Sequence, residues 1–204
     1  TVLGIVKAVA RLKLPINLVA ITPCVENHID GGASRPSDII KSYEGKYVEI
    51  ANTDAEGRLI LADALAYAQK SKPDVIIDFA TLTGACVVSL GNEIAGILGN
   101  DDELINKIIK SGKSADELMW QLPLLDFHKD HIKSDVADIK NLGKPKGNAG
   151  TISAAAFLQA FVGETPWAHL DIAGVAFTKS GKNYTSKGAT GATVRSLIEF
   201  FEQV

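Results

Sequence analysis

Residues 47–79, YVEIANTDAEGRLILADALAYAQKSKPDVIIDF, decide the architecture of this chain. Tyr47 to Ala51 reads as a short strand, Arg58 to Lys70 as a helix, and Pro73 to Phe79 as a strand whose Val-Ile-Ile run is apolar without alternation. A strand of that kind is buried on both faces, which belongs to parallel sheets covered by helices. The β-α-β order therefore predicts an α/β fold, a largely parallel mixed sheet flanked by helices.

Working outward, Thr1 to Leu14 reads as a helix with Val2, Ile5, Val6, Val9 and Leu12 on one side. Pro15 ends it, and Ile16 to Val25 is continuous enough in apolar residues to read as a buried strand. Glu26 to Lys46 is loop-like, rich in Gly, Ser, Pro and Asp. Beyond the deciding stretch come Gly-punctuated apolar segments from Ala85 to Leu98, a helix at Asp102 to Lys110, and a less regular region to Lys146. A helix at Thr151 to Phe161, a strand at Trp167 to Ile172 and a helix at Ala192 to Glu202 follow, with Lys179 to Gly191 as a loop. There are no repeats, and 204 residues suit one compact unit.

Composition narrows the function. Hydrophobic residues make up 46% and charged residues 22%, an ordinary globular balance. The net charge is −3, with basic and acidic residues interspersed, so no positive stripe awaits phosphates and nucleic acid is not an expected partner. No apolar run reaches the roughly 20 residues that cross a bilayer, and no signal-peptide pattern opens the chain. A soluble protein is expected. Cys24 and Cys86 form no CxxC motif, and a reducing cytoplasm is the default. Each cysteine reads as a small buried hydrophobe in an apolar, strand-like context with no histidine partner.

The chemistry concentrates at Asn52-Thr53-Asp54-Ala55-Glu56-Gly57-Arg58, between strand and helix. Two carboxylates two residues apart on an irregular segment can face one point, as hard divalent cations require, and Arg58 can hold an anion. A second reading stands beside this one: Thr53 and Glu56 fit a capping box, with Asp54 favouring the helix N-terminus.

The longer string Asn52 to Leu65, NTDAEGRLILADAL, resembles the signature of the leucyl aminopeptidase family. The resemblance continues through Asp78 to Ala85, Asn148-Ala149-Gly150 and Trp167 to Gly174, in family order over essentially the whole chain. It implies an α/β/α, zinc-exopeptidase-like catalytic domain that releases N-terminal residues, apolar ones such as Leu preferred, from peptides. Two divalent ions (Zn, Mn, Mg or Co) and a bicarbonate are the implied cofactors. On this resemblance Asp54 and Glu56 are metal ligands, with Glu56 bridging, and Arg58 is a catalytic residue that holds bicarbonate. Leu82 offers its carbonyl, Gly84 its N–H, and Thr81 and Asn52 join them in binding substrate. Ala173, Ala176 and Leu142 fall where the family lines its first specificity pocket, with ordinary core packing as the equal alternative. The resemblance also implies a homo-hexamer, a dimer of trimers. One departure stands out: a lysine and two aspartates that complete the family's metal site, and a catalytic lysine, belong to a stretch that this sequence does not contain. Residues 1–204 are thus expected to be the C-terminal portion of a single catalytic domain, incomplete at its N-terminus.

Other signals are weaker. His128 and His131, three apart in a polar run, read as a solvated face because no third ligand accompanies them. His169 reads as a buried, hydrogen-bonded structural residue. Gly112-Lys113-Ser114 lacks the preceding glycine and strand of a phosphate loop, and Lys187 to Gly191 reads as a structural turn near the active-site rim. Two rivals to the exopeptidase remain: a non-catalytic scaffold or assembly piece of such an enzyme, and a mononuclear hydrolase using Asp54 and Glu56 alone.

Overall fold

The protein is described here by a computed structural model covering residues 1–143, 148–181 and 184–203. The end of the irregular region before residue 148, and the middle of the loop at 179–191, lie outside the described residues.

The centre is a four-stranded sheet of β3 (Ile76–Ala80), β7 (Trp167–Asp171), β4 (Ala95–Gly99) and β5 (Met119–Gln121), in that order. β3 runs parallel to β7, with Asp78 opposite His169. β7 pairs antiparallel with β4, which runs parallel to β5. All five residues of β7 are buried, and their two-residue alternation divides the core. Ala168 and Leu170 face one apolar layer with Ile97, Ile105, Ile108 and Leu197, built on α1 (Val2–Leu12), α4 (Asp102–Ser114) and α6 (Val194–Phe201). Trp167 faces the other with Leu98, Leu65, Phe157 and Phe161, from α2 (Gly57–Ala68) and α5 (Gly150–Gln159). Helices thus cover both faces. β4 meets β7 closely enough that a Cβ on Gly99 would overlap the Trp167 carbonyl oxygen, so only glycine fits there.

The helices follow their sequences. α2 buries Arg58, Ala62, Leu65 and Ala66, one stripe at helical spacing. α5 buries nearly every residue from Thr151 to Leu158 because small alanines let it pass between the sheet and neighbouring elements. Asp101 caps α4 by accepting the Leu104 N–H at 2.9 Å.

Several expectations need revision. The two strands of the deciding stretch lie in different sheets. β2 (Tyr47–Glu49) pairs with β1 (Ile39–Lys41), a strand inside the expected 26–46 loop, and with β6 (Ile139–Lys140). With the β8 (Phe177–Thr178) and β9 (Gly188–Ala189) ribbon, parallel and antiparallel pairings divide evenly among the described residues. The apolar segment Ala85 to Leu98 splits into α3 (Gly84–Leu90) and β4, separated at Gly91 with φ of 73°.

Ile16 to Val25 is extended but joins no sheet among the described residues. Leu14, Ile16 and Leu18 pack on the core, whereas Val19 and Val25 are exposed, so apolar side chains alone do not make a strand without a hydrogen-bonding neighbour. In α1, Ile5 and Val9 are buried, but Val6 and Leu12 face outward. Cys24 is exposed, because the segment that carries it joins no sheet among the described residues and leaves Cys24 and Val25 at the surface. No helix among the described residues is long and apolar enough to cross a membrane. Of the two tryptophans, Trp167 is 0% exposed and Trp120, on the short β5, is 64% exposed.

Candidate active site

The segment from Asn52 to Arg58 takes its shape from two asparagines. Asn52 is extended, and its side-chain oxygen accepts the Asp54 N–H at 3.1 Å, turning Thr53–Ala55 into a single 3-10 turn that leads into α2. Glu56 holds the N-cap position of α2 without a side-chain cap bond, and Thr53 is exposed. The capping box expected from Thr53 and Glu56 is absent because Asn52 has already turned the chain.

The second asparagine carried no signal in the sequence. Asn141 is fully buried; its Oδ1 accepts the N–H groups of Ala51 (2.8 Å) and Asn52 (3.2 Å), and its Nδ2 donates to the carbonyls of Asn52 (2.7 Å) and Ala55 (3.3 Å). Only an amide offers acceptor and donors together in this way. With the backbone of the loop thus held, neither the Asp54 nor the Glu56 carboxylate takes part in a hydrogen bond or ion pair among the described residues.

Across from this loop, the chain leaves β3 and turns through Thr81 to Thr83 into α3. Thr83 caps the helix, its Oγ1 accepting the Cys86 N–H at 3.1 Å. Gly84 is the first helical residue, so its N–H has no partner within the helix. A Cβ placed there would meet nothing within 4 Å. A third wall comes from Leu142 and Gly143, then Asn148 and Gly150 at the start of α5.

These segments enclose a cavity of about 160 Å³ that brings together Asn52, Asp54, Arg58, Leu82, Gly84 and Leu142. Glu56 sits half-buried beside it, at the head of α2. Thr81 is exposed, Ala173 adjoins the carboxyl end of β7, and Ala176 packs against the apolar core. Sequence reasoning passed over Thr83, Gly143 and Ser153 on the cavity wall. Gly143 has a steric signature, since a Cβ there would overlap the Ser153 side chain.

Arg58 is 7% exposed. Its Nη1 donates to the Asn141 carbonyl at 2.8 Å, while its Nε has no partner. Burial lowers its pKa to about 10, and the Asp171 and Glu56 carboxylates oppose the fall. The guanidinium stays charged at neutral pH with no carboxylate within 4 Å of it among the described residues, a costly arrangement that an anion would relieve. Asp54 and Glu56 supply the oxygen donors that hard cations take, and the free state of both carboxylates fits that role. No group of three or more His, Cys, Asp or Glu suited to a metal occurs among the described residues.

The remaining candidates are placed elsewhere. His128 is buried rather than solvated: its Nδ1 accepts the Leu125 N–H at 2.9 Å, because the 3-10 turn Asp126–Ile132 folds it inward. Burial and the neighbouring His131 lower its pKa. His131 is half-buried beside Ser153, 3.2 Å from its Oγ. His169 is fully buried, with Nδ1 2.6 Å from Asp78 Oδ1, while Trp167 Nε1 donates to Asp78 Oδ2 at 2.7 Å. Burial pulls its pKa down, but Asp78 outweighs this and raises it.

Cys86 lies in the first turn of α3 rather than in a strand, and burial with the Asp171 charge pushes its thiol up to about 11, too high for a nucleophile. Gly112-Lys113-Ser114 ends α4, and the 187–191 turn borders a larger cavity of about 690 Å³. There Tyr184 donates to Asp116 at 2.7 Å, and Glu117 accepts from Ser196 and lies 3.5 Å from Arg195. Its acidic groups Asp116 and Glu117 already have partners, whereas the Asp54 carboxylate and the Arg58 Nε at the smaller cavity have none, so the smaller cavity is the better chemical candidate despite its size.

β3 and β7 run parallel, and the Leu82 and Ala173 turns both follow their carboxyl ends. This is where α/β domains bind ligands, and the chain is a domain of that class. The family description "Cytosol aminopeptidase family, catalytic domain" matches residues 1–198, and the chain belongs to this family. It is 52% identical over 201 residues to a probable cytosol aminopeptidase of Geobacter sulfurreducens, covering 98% of this chain and 40% of the relative. It is 54% identical over 202 residues to one from Geobacter sp. strain M21, covering 99% of this chain and 41% of the relative. Against the Pseudomonas fluorescens SBW25 relative it is 54% identical over 200 residues, 98% of this chain and 39% of the relative. The chain thus spans about 40% of the length of these relatives.

Proposed function

We propose that this protein acts in the metal-dependent removal of N-terminal residues from peptides, with Leu and other apolar residues preferred. The observation that supports this most directly is the convergence of Asp54, Arg58, Leu82, Gly84 and Leu142 on one cavity at the strand ends. In this reading Asp54 and Glu56 are metal ligands. Two divalent ions, Zn, Mn, Mg or Co, would polarise the scissile carbonyl and make a nucleophile of water.

The chain's own residues do the rest. Arg58, with its Nε unpartnered, would hold an anion, bicarbonate in this proposal, which when bound would supply a base for proton removal. The Leu82 carbonyl accepts from the substrate amine or the water, and the open Gly84 N–H donates to the substrate backbone. Asn52 and Thr81 support these contacts. Leu142, Ala173 and Ala176 form the apolar wall against the first side chain. A cytoplasmic homo-hexamer belongs to the same proposal.

The test is direct. The purified intact protein is loaded with Mn²⁺ or Zn²⁺ and given leucine p-nitroanilide and an N-acetylated control. Release from the free-amine substrate alone, lost with a chelator and restored by metal, is the expected result. Equal cleavage of both substrates, or release that a chelator leaves untouched, rejects the proposal.

A further inference from the structure

We propose that Asp171 is a positioning residue for peptide binding, its buried carboxylate fixing the Leu82–Gly84 turn against the Ala173 turn. This inference rests on the aminopeptidase reading above. Asp171 ends β7 and is 0% exposed. Its Oδ1 accepts the N–H groups of Leu82 and Ala173, each at 3.2 Å, and its Oδ2 accepts the Thr83 hydroxyl at 2.6 Å. Leu82 and Asp171 are 89 residues apart in sequence. One side chain therefore ties together the turns that follow two neighbouring parallel strands.

The proton inventory gives the network a direction. A hydroxyl has one hydrogen, and Thr83 gives its own to Asp171. Thr83 Oγ1 must then accept from Thr151 Oγ1, 2.8 Å away, as it accepts the Cys86 N–H. The chain of donors runs from Thr151 on α5, through Thr83, to Asp171. The peptide group between Leu82 and Thr83 is flanked by two bonds to one carboxylate, which fixes where the Leu82 carbonyl points. The same bonds set the Thr83 backbone at φ −137°, ψ 133°, the extended geometry that opens α3 at Gly84. Both backbone groups assigned to substrate thus depend on Asp171, although its own side chain stays out of the cavity.

Three variants of the intact protein test this: Thr83→Val, which keeps shape and removes the hydroxyl, Thr83→Ser, which restores it, and Asp171→Asn. Kinetics on leucine p-nitroanilide are measured beside metal content and melting. The expected result is a KM raised about tenfold in Thr83→Val, and by a smaller factor in Asp171→Asn, whose amide keeps the contacts once the Thr83 hydroxyl reverses, with kcat changed much less, the pattern of lost substrate binding. Metal content should stay unchanged, and Thr83→Ser should return KM to within about twofold of the parent. Unchanged KM in Thr83→Val overturns the inference, as does a rise that Thr83→Ser fails to reverse. A parallel loss of kcat, metal and fold reduces Asp171 to a structural role and also overturns it. Should Asp171→Asn not fold, the Thr83 pair still decides. An unsubstituted protein that releases no leucine defeats the aminopeptidase reading first, and is thereby distinguished from failure of this inference alone.

Discussion

Two walls of the small cavity are each held by one fully buried side chain, Asn141 behind the Asp54 loop and Asp171 behind the Leu82 turn. Their chemistry differs because their tasks differ. The Asp54 loop turns both N–H and C=O groups inward, and only an amide answers both. The Leu82 turn presents donors alone, two N–H groups and a hydroxyl, which a carboxylate accepts without contradiction. A neutral anchor behind the Asp54 loop also keeps a third negative charge away from Asp54 and Glu56. The near-isosteric exchange of the two side chains is therefore asymmetric.

Asn141→Asp should be the most damaging change. It sets carboxylate oxygens against the carbonyls of Asn52 and Ala55, and should cost about 3 kcal/mol or more in urea unfolding. The exchange in the other direction, Asp171→Asn, should cost less stability, because the Thr83 hydroxyl can reverse and accept. Equal losses would show that the two anchors are not distinguished by hydrogen-bond direction.

Next in size are the charged side chains beside Asn141. Glu56→Gln removes a charge and should lower metal occupancy and activity together. Arg58→Ala should keep the metal while turnover falls on the order of 10²-fold, with bicarbonate no longer stimulating. Loss of metal in Arg58→Ala would make Arg58 a support of the loop instead.

Gly84→Ala sharpens the other wall. The site is open and the backbone has an ordinary φ, so stability should hold or rise by up to about 1 kcal/mol. Peptide cleavage should nonetheless fall if Gly84 binds substrate as proposed, since the new methyl would stand in that open space. Unaltered kinetics would remove Gly84 from the substrate-binding residues.

The smallest effect concerns two buried histidines that titrate in opposite directions. His169 is raised above 6.5 in the fold, so its contribution to stability is complete below 6.5 and fades as pH rises through the raised value. His128 is lowered, so its contribution is complete above 6.5 and fades as pH falls through the lowered value. Imidazole resonances followed by NMR should move apart on either side of 6.5. Two coincident midpoints would contradict both environments.

Much of this was legible in sequence, for local reasons. α2, β3, α5 and β7 are long or apolar enough for periodicity to show, and NTDAEGR singled out Asp54, Glu56 and Arg58, of which the fold brings Asp54 and Arg58 to the wall of the small cavity. The short strands β1, β5 and β6, of two or three residues, carry no period and exist only through their partners. Ile16 to Val25 had the composition of a strand without the partner. Asn141 and Asp171 were silent for the same reason: what they do is settled by backbone brought alongside from some 83–90 residues away. Asn52 likewise pre-empted the capping box by a bond two residues long that spacing rules did not weigh.

The contrast between Trp167 and Trp120 gives the molecule a built-in optical record of its core. Trp167, with Nε1 on Asp78 and its ring stacked on His169 at 6.3 Å, emits from a dry environment beside a group whose charge changes with pH. Trp120 emits from water. The blue-shifted part of a fluorescence spectrum should therefore report on the centre of the sheet, and a pH-dependent change in it should follow protonation of the buried His169.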